Sequence, residues 1–249
     1  MAGLQYSFDS PPLLPTTEED MVNRLRLLRS RRVGIATYRR LIAEHGSAAA
    51  ALDALPEIAK GSGVSDYVIY PIERVHAELD AGRKAGAQLI IEGSADYPAA
   101  LSDISDSPPI LWAIGALSLL KRPMVALVGA RNASSLGTRM AKKLAEELSN
   151  EGITVVSGLA RGIDAAAHLG ALAGGTVAVQ AGGVDVIYPA ENAKLASDIA
   201  KKGLRLSEMP MCLQPQARHF PARNRIISGL AQAVVVVEAA AKSGSLITA

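Results

Sequence analysis

Residues 124–134 read Met124-Val125-Ala126-Leu127-Val128-Gly129-Ala130-Arg131-Asn132-Ala133-Ser134. Five successive apolar residues without polar alternation make a strand buried on both faces, and such strands belong to parallel sheets covered by helices. Gly129 and the serines turn the chain, after which Ala141, Leu144, Ala145 and Leu148 recur at helical spacing. The unit repeats outward from here. Apolar runs at 153–156, 176–180, 204–206 and 233–237 alternate with helical patterns at 165–173, 193–200 and 223–230. Helices between strands supply right-handed crossovers, so residues 123–249 predict an α/β fold with a doubly wound, mostly parallel sheet.

Residues 1–17, with Pro11, Pro12 and Pro15, read as a flexible lead. Residues 18–86 predict a small all-helical domain: Met21, Val22, Leu25 and Leu28 share one face, and short helical patterns follow near 35–45, 47–54 and 68–84. Its arginines from Arg24 to Arg40 read as a solvated face. Residues 87–122 read as a connecting segment leading into the sheet, with Gln88–Ile91 as a short strand and prolines 98, 108 and 109 as linker punctuation. The chain stops after Ser243-Gly244-Ser245-Leu246-Ile247, where another helix is starting, so the sheet reads as C-terminally incomplete.

A chain of 249 residues with 49% hydrophobic content buries a sizeable core. The net charge is only +2, but it is unevenly spread. Residues 1–120 hold 11 basic and 15 acidic side chains, and residues 121–249 hold 15 and 9, which makes the second half the candidate for a polyanionic partner. The single cysteine, Cys212, excludes an internal disulfide and reads as a spare buried thiol. No Cys/His cluster has metal-site spacing, and no metal or cofactor is expected. Apolar runs fall far short of the roughly 20 residues that cross a bilayer, and the acidic, proline-rich start is unlike a signal peptide. A cytoplasmic location without membrane attachment is expected.

Ligands of open α/β sheets bind at the carboxyl ends of the strands. Three cationic turns are expected there. The first holds Gly129, Arg131 and Ser134, with glycine for close backbone approach, a serine cap and a helix N-terminus as an anion site. The second is Ser157-Gly158-Leu159-Ala160-Arg161-Gly162-Ile163-Asp164, with Asp164 as helix cap and His168 one turn later as its brace. The third runs from His219 through Phe220, Pro221, Arg223, Asn224 and Arg225 to Ile227. There arginines crowd a helix N-terminus, which disfavours cations, and no acidic residue lies between Met209 and Val237. A ligand anion would complete that arrangement, and Phe220 beside it could stack a base. Glu238, at the end of the fifth run, could cap a helix or fix an arginine. Neither a GxGxxG fingerprint nor a Gly-Lys-Ser/Thr P-loop occurs, which disfavours NAD and ATP chemistry. Three cationic turns without an evident nucleophile describe a phosphate-backbone site.

These motifs, with Val128-Gly129-Ala130-Arg131 first and Ser243-Gly244-Ser245-Leu246-Ile247-Thr248-Ala249 last, resemble the DprA (Smf) family of bacterial DNA-processing proteins, from about Tyr97 to the last residue. The resemblance implies an extended Rossmann-like domain after a small sterile-alpha-motif-like helical domain. It also implies a non-enzymatic protein that binds incoming single-stranded DNA in natural transformation and loads the RecA recombinase on it, with a homodimer open to it. Carried over, Arg131, Phe220, Arg223 and Asn224 would line the DNA pocket, and Ser157, Gly158, Arg161 and Gly162 its floor. Two alternatives stay open: a phosphoribohydrolase-like nucleotide enzyme, whose catalytic glutamate the loop at 242–248 lacks, and a small-phosphate sensor.

Overall fold

The computed structural model describes residues 17–239. Four helices come first: α1 Glu18–Arg29, α2 Ile35–His45, α3 Ala48–Gly61 and α4 Ile72–Ala85. Local chemistry sets their ends. The Thr17 hydroxyl accepts from Asp20 N, three acidic residues fill the first turn of α1, and Arg26 and Arg29 close its last, all in favourable sense with the helix dipole. Ser47 caps α3, and Gly46 ends α2 in the left-handed region at φ 76°. Leu27, Tyr38, Leu41, Leu52 and Leu55 form the core of this helical unit.

Only part of the arginine run from Arg24 to Arg40 is the solvated face expected: Arg31, Arg32 and Arg40 are exposed, and Arg24, Arg26, Arg29 and Arg39 are not. Arg24 is buried and bonded to Asp20, Arg29 forks onto Glu78, and Arg39 reaches Glu92 and Ser107. They brace helix to helix and helix to sheet. Glu78 also accepts the indole N–H of Trp112 at 2.9 Å, and Gly82 lies flat against that ring. The helical unit is thereby clamped to the sheet through α4.

Among the described residues the sheet has seven strands: β1 Gln88–Ile91, β2 Ile110–Gly115, β3 Met124–Val128, β4 Thr154–Ser157, β5 Thr176–Val179, β6 Leu204–Ser207 and β7 Ala233–Val236. Their order is β1-β2-β6-β5-β4-β3-β7. The strands from β6 to β7 in that order run parallel, and β1 and β2 are antiparallel additions at one edge. From sequence, 87–122 is a connection holding the short strand Gln88–Ile91; the structure has that strand as β1 and adds a second, β2. Ile110–Gly115 is an apolar run as continuous as Met124–Val128, and the prolines before it introduce the strand.

Helices cover both faces. The short α5 (Ala99–Ser102) and α9 (His219–Leu230) pack on one face through Leu101, Ile226, Ile227 and Leu230, against Val128, Val156 and Val179. On the other face, α6 (Ser135–Asn150) and α7 (Ile163–Ala171) bury Ala145, Ala167 and Ala171 against Leu127 and Val155. Beside them, α8 (Ala193–Lys202) seats Leu195, Ala196 and Ile199 over Ala178. The doubly wound, mostly parallel arrangement is therefore as expected. No helix among the described residues is long and apolar enough to cross a membrane.

Candidate functional site

The parallel strands all deliver their loops to one edge of the sheet. From β3 the chain proceeds to β4, β5 and β6 on one side, then returns through α9 to β7 on the other. That reversal leaves a crevice beyond the end of β3, where an α/β sheet admits a ligand.

Arg131, exposed in the loop after β3, stands with its guanidinium 5.3 Å from the centroid of the Phe220 ring. Phe220, in the first turn of α9, meets Tyr188 at 5.8 Å with the rings tilted by 53°. A cation and two aromatic rings thus succeed one another along the rim, the first pair at cation–π distance. Tyr188 was not singled out from sequence. Its signal was an aromatic followed by proline in the loop after β5, the same kind of loop that carries the arginines.

Gly162 draws the second loop onto the first. Its φ is +69°, and a Cβ there would lie 2.2 Å from Ala130 O, while Ile163 N donates to that oxygen. Arg161 on this turn is half-exposed and pairs with the equally exposed Glu191 at 2.7 Å, a contact that solvent screens.

The other predicted residues hold the rim together. Arg223, expected to line the DNA pocket, is 5% exposed. Its Nη1 donates to Gly158 O and, at 2.6 Å, to Val179 O, tying the ends of β4 and β5 together. Gly158 is required beneath it, since a Cβ would sit 2.1 Å from Nη1. Burial, with a smaller push from the nearby Arg131 charge, brings the Arg223 pKa down to about 10 against the pull of Asp164. Its Nε donates to Asn224 Oδ1. Arg225, expected to lack compensation, pairs with Glu208 and Asp106; both precede the acid-free stretch in sequence but lie against α9 in space.

Ser157 is buried, and its hydroxyl donates to Leu127 O at 2.6 Å. Ser134 caps α6 by accepting from Gly137 N, but its own N–H and hydroxyl both donate to the Glu238 carboxylate. The anion site expected at this helix N-terminus is thus filled from within, beside Gly129, where a Cβ would meet Glu238 O at 2.8 Å. The helix-capping role expected of Glu238 is the one observed.

Asp164 accepts from Gly158 N and Ala160 N from inside the first turn of α7, whose N-cap is Gly162. Burial raises its pKa, opposed by Arg223 and these amides. His168 Nε2 accepts from Leu159 N, which leaves Nδ1 to bond the Thr176 hydroxyl at 2.7 Å, and burial lowers its pKa to about 3. These two residues brace the loop through its backbone. Cys212 is exposed, at φ +64° in the turn after β6, with Asp185 against its sulfur; the left-handed turn lifts out a thiol expected to be buried. The loop at 242–248 lies outside the described residues. The arrangement as a whole presents the exposed Arg131 guanidinium, two ring faces and a glycine-walled cleft.

Two family models match the chain: DNA recombination-mediator protein A over residues 88–249 and the DprA-like N-terminal HHH domain over residues 18–81. The DNA processing protein DprA of Streptococcus pneumoniae is 50% identical over 154 residues, which are 61% of this chain and 54% of that protein. DprA of Bacillus subtilis is 45% identical over 174 residues, 69% of this chain and 59% of the relative. This chain spans about half the length of these curated relatives. The X-ray structure of Streptococcus pneumoniae DprA superposes with a TM-score of 0.63 at 34% identity, covering 88% of this chain and 82% of that one. The structure of Helicobacter pylori DNA processing protein A, described with a single-stranded DNA binding mode, gives 0.61 at 33% identity over 65% and 74%. The rim lies within the longer matched region, and the chain belongs to the DprA/Smf family of DNA recombination mediators.

Proposed function

We propose that this chain binds single-stranded DNA without cleaving it, and that the strand lies across the Arg131–Phe220–Tyr188 rim. The observation that carries this reading is the stack itself: an exposed guanidinium for phosphate beside ring faces for bases, at the carboxyl edge of the sheet. The single-stranded DNA binding ascribed to the Helicobacter pylori relative supports it. Binding without catalysis fits the titratable residues beneath the rim, because Asp164 and His168 are buried and spend their polar atoms on backbone and Thr176. Loading of RecA on the bound strand and formation of a homodimer belong to the same proposal, on the strength of family membership.

The test is fluorescence anisotropy of the 249-residue chain with a labelled thymidine oligomer over a salt series. Each neutralised phosphate contributes about −0.7 to the log–log slope for a single strand. A slope near zero, or a mononucleotide competing as well as the oligomer, would overturn the reading. Arg131→Ala should weaken binding with the fold intact.

A further inference from the structure

The strand β5 ends at Val179, and the next residue, Gln180, is 5% exposed. It lines a small cleft with Gly158, Tyr188, Pro215, Phe220 and Arg223. Its Nε2 donates to Val186 O at 2.7 Å and reaches Gly183 O at 3.5 Å. Two carbonyl partners fix the orientation of the amide, since only its nitrogen can donate to them. The carbonyl Oε1 is buried and has no partner. Such an acceptor carries a desolvation cost until a donor meets it, an ordered water in the free protein or an N–H of a ligand. Arg223 does not meet it: its Nη1 is spent on Gly158 and Val179 and its Nε on Asn224.

We propose that Gln180 is a base-reading residue: its Oε1 accepts the imino N–H of a thymine or guanine that enters between Tyr188 and Phe220. This rests on the single-strand reading above and adds selectivity to it at one nucleotide. Nε2 is committed to the loop, so Gln180 presents an acceptor and no donor. Thymine offers N3–H at the centre of its Watson–Crick edge; cytosine offers a bare N3 at that position, which sets two acceptors against each other, and its N4 amino donor lies one position along the edge. The cleft is about 10 Å³ as it stands, room for a single water, so a base enters by parting the rings. Tyr188 lines the cleft and is 53% exposed, so its outer side meets solvent.

The experiment compares three oligomers of equal length, of thymidine, deoxycytidine and N3-methylthymidine, against the full chain and its Gln180→Leu variant. The natural chain should bind thymidine about tenfold more tightly than either of the others, the scale of one buried acceptor left unmet. The variant should bind all three alike. Thymidine binding without discrimination by the natural chain overturns the inference and leaves the single-strand reading standing. Discrimination that survives in Gln180→Leu overturns it too, because a merely structural glutamine would alter affinity for every oligomer equally. Should the variant not fold, the methylated oligomer decides the matter with the natural chain alone. Absence of binding to any of the three removes both readings.

Discussion

Replacing Arg223 with alanine should unfold the rim before it affects any ligand. The guanidinium is buried among Gly158 O, Val179 O and the charge of Asp164. Its removal strips two buried carbonyls of their donor, at about 1–3 kcal/mol each. It also removes the charge that opposes the rise in the Asp164 pKa, a loss Asp164 can relieve by taking up a proton. The two carbonyls therefore set the scale, about 4 kcal/mol in total. For a chain of this size that is a fall of about 8–16 °C in Tm. Circular dichroism melts and urea titrations of Arg223→Ala beside Arg131→Ala give the comparison. The exposed Arg131 should change stability by less than about 0.5 kcal/mol while losing DNA affinity. An Arg223→Ala protein with an unchanged midpoint and weakened DNA binding would show that this guanidinium faces the ligand, and would refute its assignment as a brace.

His168 should make stability depend on pH. It is neutral in the fold, with a pKa of about 3 against 6.5 when exposed, so its contribution is whole above pH 6.5 and is lost as the pH falls toward 3. The loss runs at about 1.4 kcal/mol per pH unit, and urea midpoints between pH 6.5 and 4 should fall less steeply in His168→Gln; parallel slopes would contradict this. Gly82→Ala should destabilise despite alanine's better helix propensity, because the added Cβ would sit 2.4 Å from the Trp112 ring. A loss of about 1–2 kcal/mol in urea is expected, and a gain in stability would show that α4 has slack over the sheet. Glu238→Ala should cost about 1 kcal/mol by uncapping α6, and amide exchange should quicken at Ser134; unchanged exchange there would dismiss the cap.

The parallel strands were legible because burial on both faces favours apolar runs: β3 and β7 carry them whole, Thr154 and Thr176 open β4 and β5, and Arg205 interrupts β6. The strand β2 carries one as well, Ile110 to Ile114, but Pro108 and Pro109 gave the segment the look of a linker. The burial of Arg223 was also within reach. It falls on the face of α9 that Ile226, Ile227 and Leu230 define, and a residue there packs inward whatever its charge. The partners of Arg225 were not legible: Asp106 and Glu208 lie in separate loops, and only the folded sheet brings them to α9. The same holds for Tyr188 and Phe220, which no local pattern couples.

Glu238 holds Ser134 across 104 residues of chain, and its carbonyl accepts from Ala130 N. The loop that presents Arg131 is therefore made early by the ribosome and given its shape late. During synthesis β3 and α6 emerge with that turn unpinned, and it stays so until β7 has been translated and has docked alongside β3. A nascent chain consequently acquires its cationic lip only once β7 has docked, and a product truncated before β7 would carry every arginine yet lack the fastening that aims the first of them.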